Sequence, residues 1–253
     1  MQDNHPDLWR GLLPLRTAKS HKYTHGHALI YGAPELTGAT RLAAGACARM
    51  GAGLVTVLAP HDLANIYRTA LPAHILVRGD LSWFDERVTA KIYGPGGLSV
   101  VPDFYSNLPV VLDADALANM PKKLAPNYIL TPHEGEFELA FPNIKGSREE
   151  RAQHAAQVLN AHVVLKGAKT IIAAPDGRCV INKNASPSLA TAGTGDVLAG
   201  MITGLVAQNM PIFEACCAAV WMHGQCANEF GAGLVASDLI DVIPRVLGDL
   251  CET

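Results

Sequence analysis

The sequence predicts an α/β fold in which helices cover both faces of a mostly parallel central sheet. Three observations support this prediction. Short apolar runs alternate with stretches of helical periodicity over much of the chain. Most of these runs close on Gly, Pro or Asp, which is typical of the turns that follow parallel strands. The chain also has 253 residues, of which 49% are hydrophobic and 17% charged, enough to bury a large core. We therefore expect a single domain over residues 1–253, with residues 1–25 as an N-terminal arm.

The first strands and helices follow this arm in alternation. HALIYG at residues 27–32 is an apolar run that ends in glycine and predicts a strand, and residues 37–53 place small and apolar side chains at helical spacing. LVTVLAP predicts a second strand at residues 54–60, and residues 62–71 a second helix. Further buried strands are predicted in HILVRG, KIYGPGG, PVVLDADAL and NYILTPHEGE, with helices between most of them.

The pattern changes in the last third of the chain. Residues 147–161 predict an amphipathic helix with Ser147 as its N-cap. VVLKG, KTIIAAPDG and RCVINK then predict three consecutive strands, with Asp176 and Gly177 as a hairpin turn. This C-terminal meander is expected to add an antiparallel edge to the sheet. Three further helices are predicted at residues 196–208, 212–230 and 237–250.

Composition argues against several functional classes. The net charge is −3, no basic tract stands out and only 6% of residues are aromatic, so nucleic acid is not an expected partner. No apolar run reaches membrane-spanning length, and we expect neither a signal peptide nor a membrane anchor. The cysteines form no C-x-x-C pair, which predicts buried reduced thiols in a cytoplasmic protein rather than a zinc site or a disulfide framework. They are Cys47, Cys179, Cys216, Cys217, Cys226 and Cys251.

The most informative motif is ATAGTGDVLAG at residues 190–200. Gly193, Thr194 and Gly195 form a flexible turn directly before a helix, and Asp196 falls in its first turn. Such a turn points backbone N–H groups outward, where the helix dipole adds partial positive charge, so it is suited to a phosphate. An acid there would repel a bound phosphate, but it can serve as a base toward a hydroxyl that attacks the phosphate. From these residues alone, an ordinary helix start with a dipole-matching Asp remains the alternative.

Other reactive side chains follow the predicted strands directly. Each of them singly would be an ordinary turn, cap or surface residue. Because ligands of open α/β sheets bind beyond the carboxyl ends of the strands, their convergence at one sheet edge favours a functional site. These residues are Asp113, Asp115, Thr131, His133, Glu134, Glu136, Lys166 and the backbone-exposing turn Gly94, Pro95, Gly96 and Gly97.

Several familiar sites are absent from the sequence. GAPELTGAT at residues 32–40 lacks the lysine of a Walker A loop, and no G-x-G-x-x-G follows the first strand. No H-E-x-x-H or G-x-S-x-G occurs, and the histidines at 21, 25 and 27 lack the partners of a metal site. Trp221 and Met222 are predicted to be core residues.

Taken together, these stretches resemble the ribokinase-like kinases of vitamin and sugar metabolism, and within that group the ADP- or ATP-dependent NAD(P)H-hydrate dehydratases. The resemblance runs from residue 22 to about residue 238, nearly the whole globular chain. GTGD alone is specific only to the superfamily, whereas TPHEGE, KGAKT and TAGTGDVLAG in this order are highly specific. The matching stretches are HKYTHGHALIYG, LTGATRLAAGACARMGAGLVTV, YGPGG, VLDADAL, LTPHEGEFELAF, LKGAKTII and LATAGTGDVLAGMITGLVAQ.

The resemblance implies repair of hydrated NADH or NADPH (NADHX or NADPHX). The ring hydroxyl would be phosphorylated by ADP or ATP, and phosphate would then leave to restore the double bond. Phosphate leaves far more readily than hydroxide, and the ring nitrogen can supply electrons. Asp196 would be the base, and the N–H groups of Gly193, Thr194 and Gly195 would stabilise charge on the transferring phosphoryl group.

Binding residues are implied in the same way. Ala39 and Gly96 would approach the hydrated substrate through their backbone, while His133 and Asp196 would contact it directly. Mg2+ would bridge the phosphates, with Asp113 acting through water and no dedicated carboxylate cage. The nucleotide would be bound by Lys166, Gly167, Ala168, Lys169, Thr170 and Gly195.

Two departures from the family pattern accompany the resemblance. Ala192 stands where glycine is common, and its methyl group is expected to be tolerated unless the position needs positive φ. An epimerase domain precedes this domain in many bacterial proteins and is not part of this sequence, so the chain is either a stand-alone enzyme or half of a bifunctional one. The family resemblance also leads us to expect a homotetramer.

Two other functions remain open at this point. A kinase of the same fold that phosphorylates a hydroxymethylpyrimidine or a thiazole alcohol would use the same Asp196 and the same glycine turn. TPHEGE together with GATRLAAGACARMGAG favours the dehydratase. A nucleotide-binding module without catalysis is the second alternative. Asp196 argues against it, since a pure binder gains nothing from a negative charge that faces phosphate.

Overall fold

The computed structural model describes residues 1–118 and 120–252, and the strands of that part of the chain form one sheet. The spatial order is β1-β10-β9-β8-β7-β6-β5-β2-β3-β4. The seven adjacent strands β4, β3, β2, β5, β6, β7 and β8 all pair in parallel. In contrast, β9 runs antiparallel to both β8 and β10. The mostly parallel sheet and its antiparallel meander are confirmed. The strands are β1 (Gln2–Asp3), β2 (His27–Tyr31), β3 (Leu54–Leu58), β4 (Leu76–Arg78), β5 (Ala90–Tyr93), β6 (Val110–Leu112), β7 (Tyr128–Leu130), β8 (His162–Leu165), β9 (Thr170–Ala173) and β10 (Cys179–Asn182).

Helices cover both faces of this sheet, as the sequence predicts. One face packs against α1, α5, α6 and α7, and the other against α3 and α4. β8 shows the alternation directly: Val164 belongs to the first core, and Val163 and Leu165 belong to the second. The helices are α1 (Thr37–Arg49), α2 (Ala64–Ala70), α3 (Glu134–Ala140), α4 (Arg148–Leu159), α5 (Thr194–Ala207), α6 (Ile212–Phe230) and α7 (Ala236–Glu252).

Several predicted helix bounds shift at the ends. The second helix begins with a 3-10 turn at His61–Leu63, and α-helical geometry starts only at Ala64. The helix predicted over residues 37–53 ends at Arg49, because glycines at 51 and 53 stop it. Ser147 caps α4 as predicted: its side chain accepts a hydrogen bond from the Glu150 N–H, and the Glu150 carboxylate accepts one from the Ser147 N–H.

The prediction of helices between most strands is wrong for the stretch from β4 to β7. Among the described residues of that stretch, the only helical segment is a 3-10 turn at Ala114–Leu117. The connections there contain prolines at 95, 102, 109, 121 and 126, which remove backbone donors and oppose helix formation. Loop side chains such as Leu98, Val100 and Phe104 cover this part of the core instead.

The N-terminal arm is joined to the sheet edge. β1 pairs in parallel with β10, and Trp9 is only 1% exposed. The Trp9 indole N–H donates to Asn4 Oδ1 over 3.1 Å, and the Asn4 side chain in turn donates to Asn182 and to the Cys217 carbonyl. The predicted arm over residues 1–25 is therefore an edge element with a buried anchor. Sequence periodicity misses it because β1 has two residues.

The structure also tests the expectations about buried cysteines, core residues and membrane-spanning helices. All six cysteines are free, and those at 47, 216, 217 and 226 are buried, as predicted. The prediction of buried thiols is wrong for Cys251, which is exposed near the end of α7, and holds only partly for Cys179. Met222 is fully buried, whereas Trp221 is partly buried against Trp9. None of the helices in the described ranges is long and apolar enough to span a membrane.

Candidate active site

Three charged side chains meet where β6, β7 and β8 end. The Lys166 ammonium lies 2.9 Å from Asp113 Oδ1 and 3.8 Å from Glu136 Oε2. The Thr131 hydroxyl donates to the same Asp113 oxygen over 2.7 Å, and Asp113 is buried. A buried carboxylate costs free energy unless it is paired and hydrogen-bonded, and Asp113 has both kinds of partner. The convergence predicted for these strand ends is therefore present.

The GTGD turn starts α5 beside this cluster. Gly193 has a φ of 92°, which L side chains rarely adopt, and a Cβ at this position would also lie 2.9 Å from the Ala236 Cβ atom, so both the backbone conformation and the space favour glycine. Ala192 is exposed and is not among the non-glycine residues of positive φ in the described chain, so its methyl group is accommodated. The N–H groups in the first turn of α5 have no preceding helical turn to supply carbonyl acceptors. They are therefore available to hydrogen-bond an anion.

Asp196 combines partial burial with strong neighbouring charges. Burial raises the pKa of its carboxyl group to about 6, and the negative charges of Asp113 and Glu136 act in the same direction. Lys166 opposes them and lowers the pKa of Asp196. A carboxylate that is poised near neutral pH can accept a proton and is still ionised at pH 7. This is the protonation behaviour required of the predicted base.

His223 supports the same turn from α6. Its Nε2 lies 2.9 Å from the Thr194 carbonyl oxygen, and burial lowers the pKa of His223 to about 4. The neutral ring therefore donates its Nε2–H to that carbonyl. The Thr194 hydroxyl also donates, to the carbonyl oxygens of Leu189 and Thr191 over 2.9 and 3.1 Å. Sequence reasoning missed His223, because it stands in an apolar helical run with no motif around it.

A cavity of about 380 Å³ opens between the KGAKT loop and the start of α5. Four of the five KGAKT residues predicted to bind nucleotide line it, and so does Gly195, whereas Lys169 is exposed outside the lining. No sequence motif indicated the walls at residues 182–189 and 220–224, which come from a loop and a helix distant in the chain. The lining comprises Lys166, Gly167, Ala168, Thr170, Asn182, Ala185, Ser186, Pro187, Leu189, Ala190, Thr194, Gly195, Leu198, Val220, His223 and Gly224.

The two residues expected to meet substrate through their backbone are neighbours. A Cβ on Gly96 would lie 3.0 Å from the Ala39 Cβ and 2.3 Å from the Leu36 carbonyl oxygen, and Gly96 has a φ of 84°. Thr40 fixes this contact: its hydroxyl donates to the Pro95 carbonyl over 3.0 Å and accepts the Ala33 N–H over 2.9 Å. Sequence reasoning missed Thr40, since a buried threonine on a helix has no distinguishing pattern.

His133 is the N-cap of α3. Its Nδ1 accepts the Glu136 N–H over 3.1 Å, and Glu136 Oε2 accepts the His133 N–H over 2.7 Å. The ring remains 60% exposed, so it is accessible to a ligand while it caps the helix. Because Glu136 also faces Lys166, this reciprocal cap links His133 to the charged cluster.

The described residues contain no group of three or more His, Cys, Asp or Glu side chains arranged to hold a metal ion. Asp113 is already paired with Lys166, and Glu136 is committed to its cap. A Mg2+ ion at a nucleotide site needs only one or two carboxylates, because phosphates and waters supply its other ligands. Asp113 and Glu136 therefore fit a Mg2+ ion that a nucleotide would chiefly hold.

A larger groove of about 720 Å³ lies between α3, α4 and the 3-10 turn at Ala114–Leu117. Its walls are mainly apolar, and Asp115 and Glu136 are among the residues that line it. The smaller cavity is lined instead by Lys166 of the charged cluster and by Thr194 and Gly195 of the glycine turn. Chemistry, rather than size, therefore identifies the site.

Comparison with known proteins shows the family to which the chain belongs. A family model described as NAD(P)H-hydrate dehydratase matches residues 27–245. The chain belongs to this family. It is 35% identical to the ADP-dependent (S)-NAD(P)H-hydrate dehydratase of Bacillus subtilis, over 94% of each chain. It is 37% identical to the bifunctional NAD(P)H-hydrate repair enzyme Nnr of Salinibacter ruber, over 95% of this chain and 51% of that one. The chain thus spans about half the length of this bifunctional relative.

Solved structures place the chain in a wider fold group. The ADP/ATP-dependent NAD(P)H-hydrate dehydratase of Bacillus subtilis, co-crystallised with ATP and Mg2+, superposes with a TM-score of 0.86 at 32% identity and 98% coverage of both chains. A ribokinase-like superfamily protein of Enterococcus faecalis V583 shares the fold with a TM-score of 0.82 at 22% identity, over 95% of this chain and 94% of that one. The ribokinase-like fold is therefore confirmed. The family match also favours the dehydratase over the vitamin-precursor kinase.

Proposed function

We propose that this chain restores NADH and NADPH from their hydrates in a reaction that consumes ADP or ATP. The observation that supports this most directly is Asp196, a carboxylate of raised pKa at the N-terminus of α5 and beside Lys166. A negative charge at an anion-binding turn is useful when it removes a proton from the group that attacks the phosphate.

The chemistry proceeds in two stages. The Asp196 carboxylate takes the proton of the ring hydroxyl, whose oxygen forms a bond to the terminal phosphorus while the bond from that phosphorus to the nucleotide breaks. The N–H groups of Gly193, Thr194 and Gly195 stabilise the charge on the transferring group. The carbon–oxygen bond to phosphate then breaks with help from the ring nitrogen lone pair. Loss of a proton from the neighbouring carbon completes the double bond.

The two substrates occupy opposite sides of Asp196 in this proposal. The nucleotide lies in the cavity of about 380 Å³, against Lys166, Gly195 and the other KGAKT residues that line it, Gly167, Ala168 and Thr170. The hydrated ring lies toward Ala39, Gly96 and His133, where the packed glycine turn exposes backbone groups. Lys166 neutralises phosphate charge from the nucleotide side.

Mg2+ is the proposed cofactor, and Asp113 would help to hold it, through water, beside the nucleotide phosphates that would bind most of it. The relative that was co-crystallised with ATP and Mg2+ supports this choice. When bound, the ion neutralises phosphate charge and orients the transferring group. The role of Lys166 and of the glycine turn does not depend on which nucleotide, ADP or ATP, is the donor.

The remaining proposals concern assembly and location. We propose one functional unit over residues 1–253, a homotetramer, and a cytoplasmic location, which the six free cysteines support. Relatives that are bifunctional repair enzymes suggest that an epimerase acts together with this activity, in the same or a separate chain. Substrate and adenine nucleotide are the proposed small-molecule partners.

The test is recovery of reduced-nicotinamide absorbance from purified NADHX and NADPHX with Mg2+ and with ADP, ATP or no nucleotide. We expect recovery only with nucleotide, together with stoichiometric release of phosphate. D196N serves as the control for adventitious dehydration. A phosphorylated alcohol that accumulates from a pyrimidine or thiazole substrate, without recovery from NADHX, would instead establish the kinase.

A further inference from the structure

The KGAKT loop connects β8 to β9 and comprises residues 166–169, since Thr170 already belongs to β9. Its backbone carbonyl groups are held by one side chain from outside the loop. Arg148, the first residue of α4, donates from Nη1 to the Lys169 carbonyl over 2.9 Å. Its Nη2 donates to the Lys166 carbonyl over 2.9 Å and to the Leu165 carbonyl over 3.3 Å. Three carbonyl groups of one short segment thus converge on a single guanidinium group.

The guanidinium group is itself fixed in place. Its Nε donates to Glu134 Oε2 over 3.0 Å, so four hydrogen bonds define its plane. The loop also packs directly against it, because a Cβ on Gly167 would lie only 2.7 Å from Nη2. Glycine at 167 is therefore explained by Arg148 as well as by any ligand.

We propose that Arg148 is a positioning residue that sets the nucleotide-binding loop and aims Lys166 at Asp113 and Gly195. The inference rests on the proposed function, since it assumes that nucleotide binds in the adjacent cavity. Arg148 is not among the residues that line that cavity, so it acts through the loop. Only a planar group with several donors in fixed directions can hold three carbonyls and one carboxylate together.

A lysine at position 148 could hydrogen-bond only some of the three carbonyl groups and the Glu134 carboxylate that Arg148 contacts. The loop would then sample other conformations, and nucleotide binding would have to order it at a cost in affinity. Lys166 would also leave the vicinity of Asp196 for part of the time. Because Lys166 lowers the pKa of Asp196 against Asp113 and Glu136, its departure raises that pKa.

Arg151 provides a matched control on the same helix. It also pairs with Glu134 and lies over the Phe137 ring at 5.4 Å, but it makes no hydrogen bond to the KGAKT loop. R148K and R151K therefore make the same chemical change on two arginines that share one partner. Only the first change touches the loop.

The experiment measures the Kd of ADP by calorimetry and the steady-state constants with NADHX for wild type, R148K, R151K and K166M. We expect R148K to raise the Kd and KM for ADP by ~10-fold or more, with kcat within ~3-fold of wild type. The acid limb of kcat/KM should move to higher pH, because Lys166 is less firmly held beside Asp196. R151K should keep both the ADP affinity and the pH profile.

Two results separate the failure of this inference from the failure of the proposed function. If wild type neither binds ADP nor restores NADHX, the proposed function is wrong. Suppose instead that wild type binds ADP and that K166M binds it more weakly. If R148K then keeps the wild-type Kd for ADP and the wild-type pH profile, the positioning role proposed for Arg148 is refuted. Should R148K fail to fold, E134A replaces it: removal of the Nε partner should raise the KM for ADP by ~3-fold, beyond R151K. An E134A enzyme that matches R151K overturns the inference.

Discussion

Lys166 and Asp113 form a part-buried ion pair of 2.9 Å across β7, the strand that separates them. Each follows a parallel strand directly, so their distance is set by the spacing and register of β6, β7 and β8. Thr131 at the end of β7 completes the contact with a hydrogen bond to the same carboxylate oxygen. The sheet thereby sets the distance between the two backbones, and the KGAKT loop sets the direction of the ammonium group that we propose faces a nucleotide phosphate.

The acid limb of activity should follow Asp196. Because burial and the charges of Asp113 and Glu136 raise the pKa of its carboxyl group to about 6, the base is lost as the pH falls through that value. We expect kcat/KM for the hydrate to decline below pH 6 with an apparent pKa near 6, measured at saturating nucleotide. A profile that is flat from pH 8 down to pH 4.5 would contradict the assignment of Asp196 as base.

D196N should separate binding from turnover. The amide cannot accept the hydroxyl proton, yet it removes a negative charge that repels phosphate. We expect turnover to fall by ~10²–10⁴-fold while ADP affinity is kept or improved. Calorimetry and the absorbance assay on the same preparation check both halves, with E138Q on α3 as a charge-matched control. Near-wild-type turnover would remove Asp196 from catalysis.

K166A should act mainly on the nucleotide. Loss of the ammonium group removes a phosphate contact and leaves Asp113 buried without its partner. We expect a weaker affinity for ADP and, since Lys166 lowers the pKa of Asp196, an acid limb shifted to higher pH. K169A is the matched control, because Lys169 lies outside the cavity lining. Equal ADP affinities for K166A and K169A would place Lys166 outside the site.

The same carboxylate should make stability depend on pH. A folded-state pKa of about 6 lies above the value in the unfolded chain, so ionisation of Asp196 opposes folding. The contribution is fully favourable below about pH 4 and is lost as the pH rises through 6. We expect D196N to raise the free energy of unfolding by ~1–2 kcal/mol at pH 8, after allowance for partial solvent screening, and to have little effect at pH 4. Urea denaturation at the two pH values measures the difference. An equal effect at both would show that ionisation is not responsible.

His223 should support the glycine turn through its N–H donor. H223L leaves the Thr194 carbonyl without this donor in a buried position, and we expect a loss of ~1–3 kcal/mol in unfolding free energy together with weaker ADP binding. H223Q carries a donor on a chain of similar reach and should recover part of both losses. Since burial lowers the pKa of His223 to about 4, neither effect should depend on pH between 6 and 8. Equal behaviour of the two variants would show that only volume matters.

Local sequence patterns were sufficient to predict many residues of the candidate site. The turn of Gly193 to Gly195, the strand ends with Asp113 and Lys166, and the Gly96 turn are each visible because a positive φ, a helix start or a strand end demands particular residue types. His223, Thr40 and Arg148 were not visible in this way. Each acts through one side chain that bonds to backbone far away in the sequence, and nothing in its own neighbourhood indicates that contact.

The sequence by itself determined the alternation of buried strands and helices, the antiparallel meander and the chemical types at the strand ends, because these depend on local periodicity and backbone preference. It overstated the helices between β4 and β7, where prolines and packing produced loops instead. Only the tertiary structure decided that the N-terminal arm joins the sheet, that Lys166 pairs with Asp113, and that the pKa of Asp196 rises to about 6. The physical reason is that ion pairing and desolvation depend on distances between segments, and the folded chain alone sets those distances.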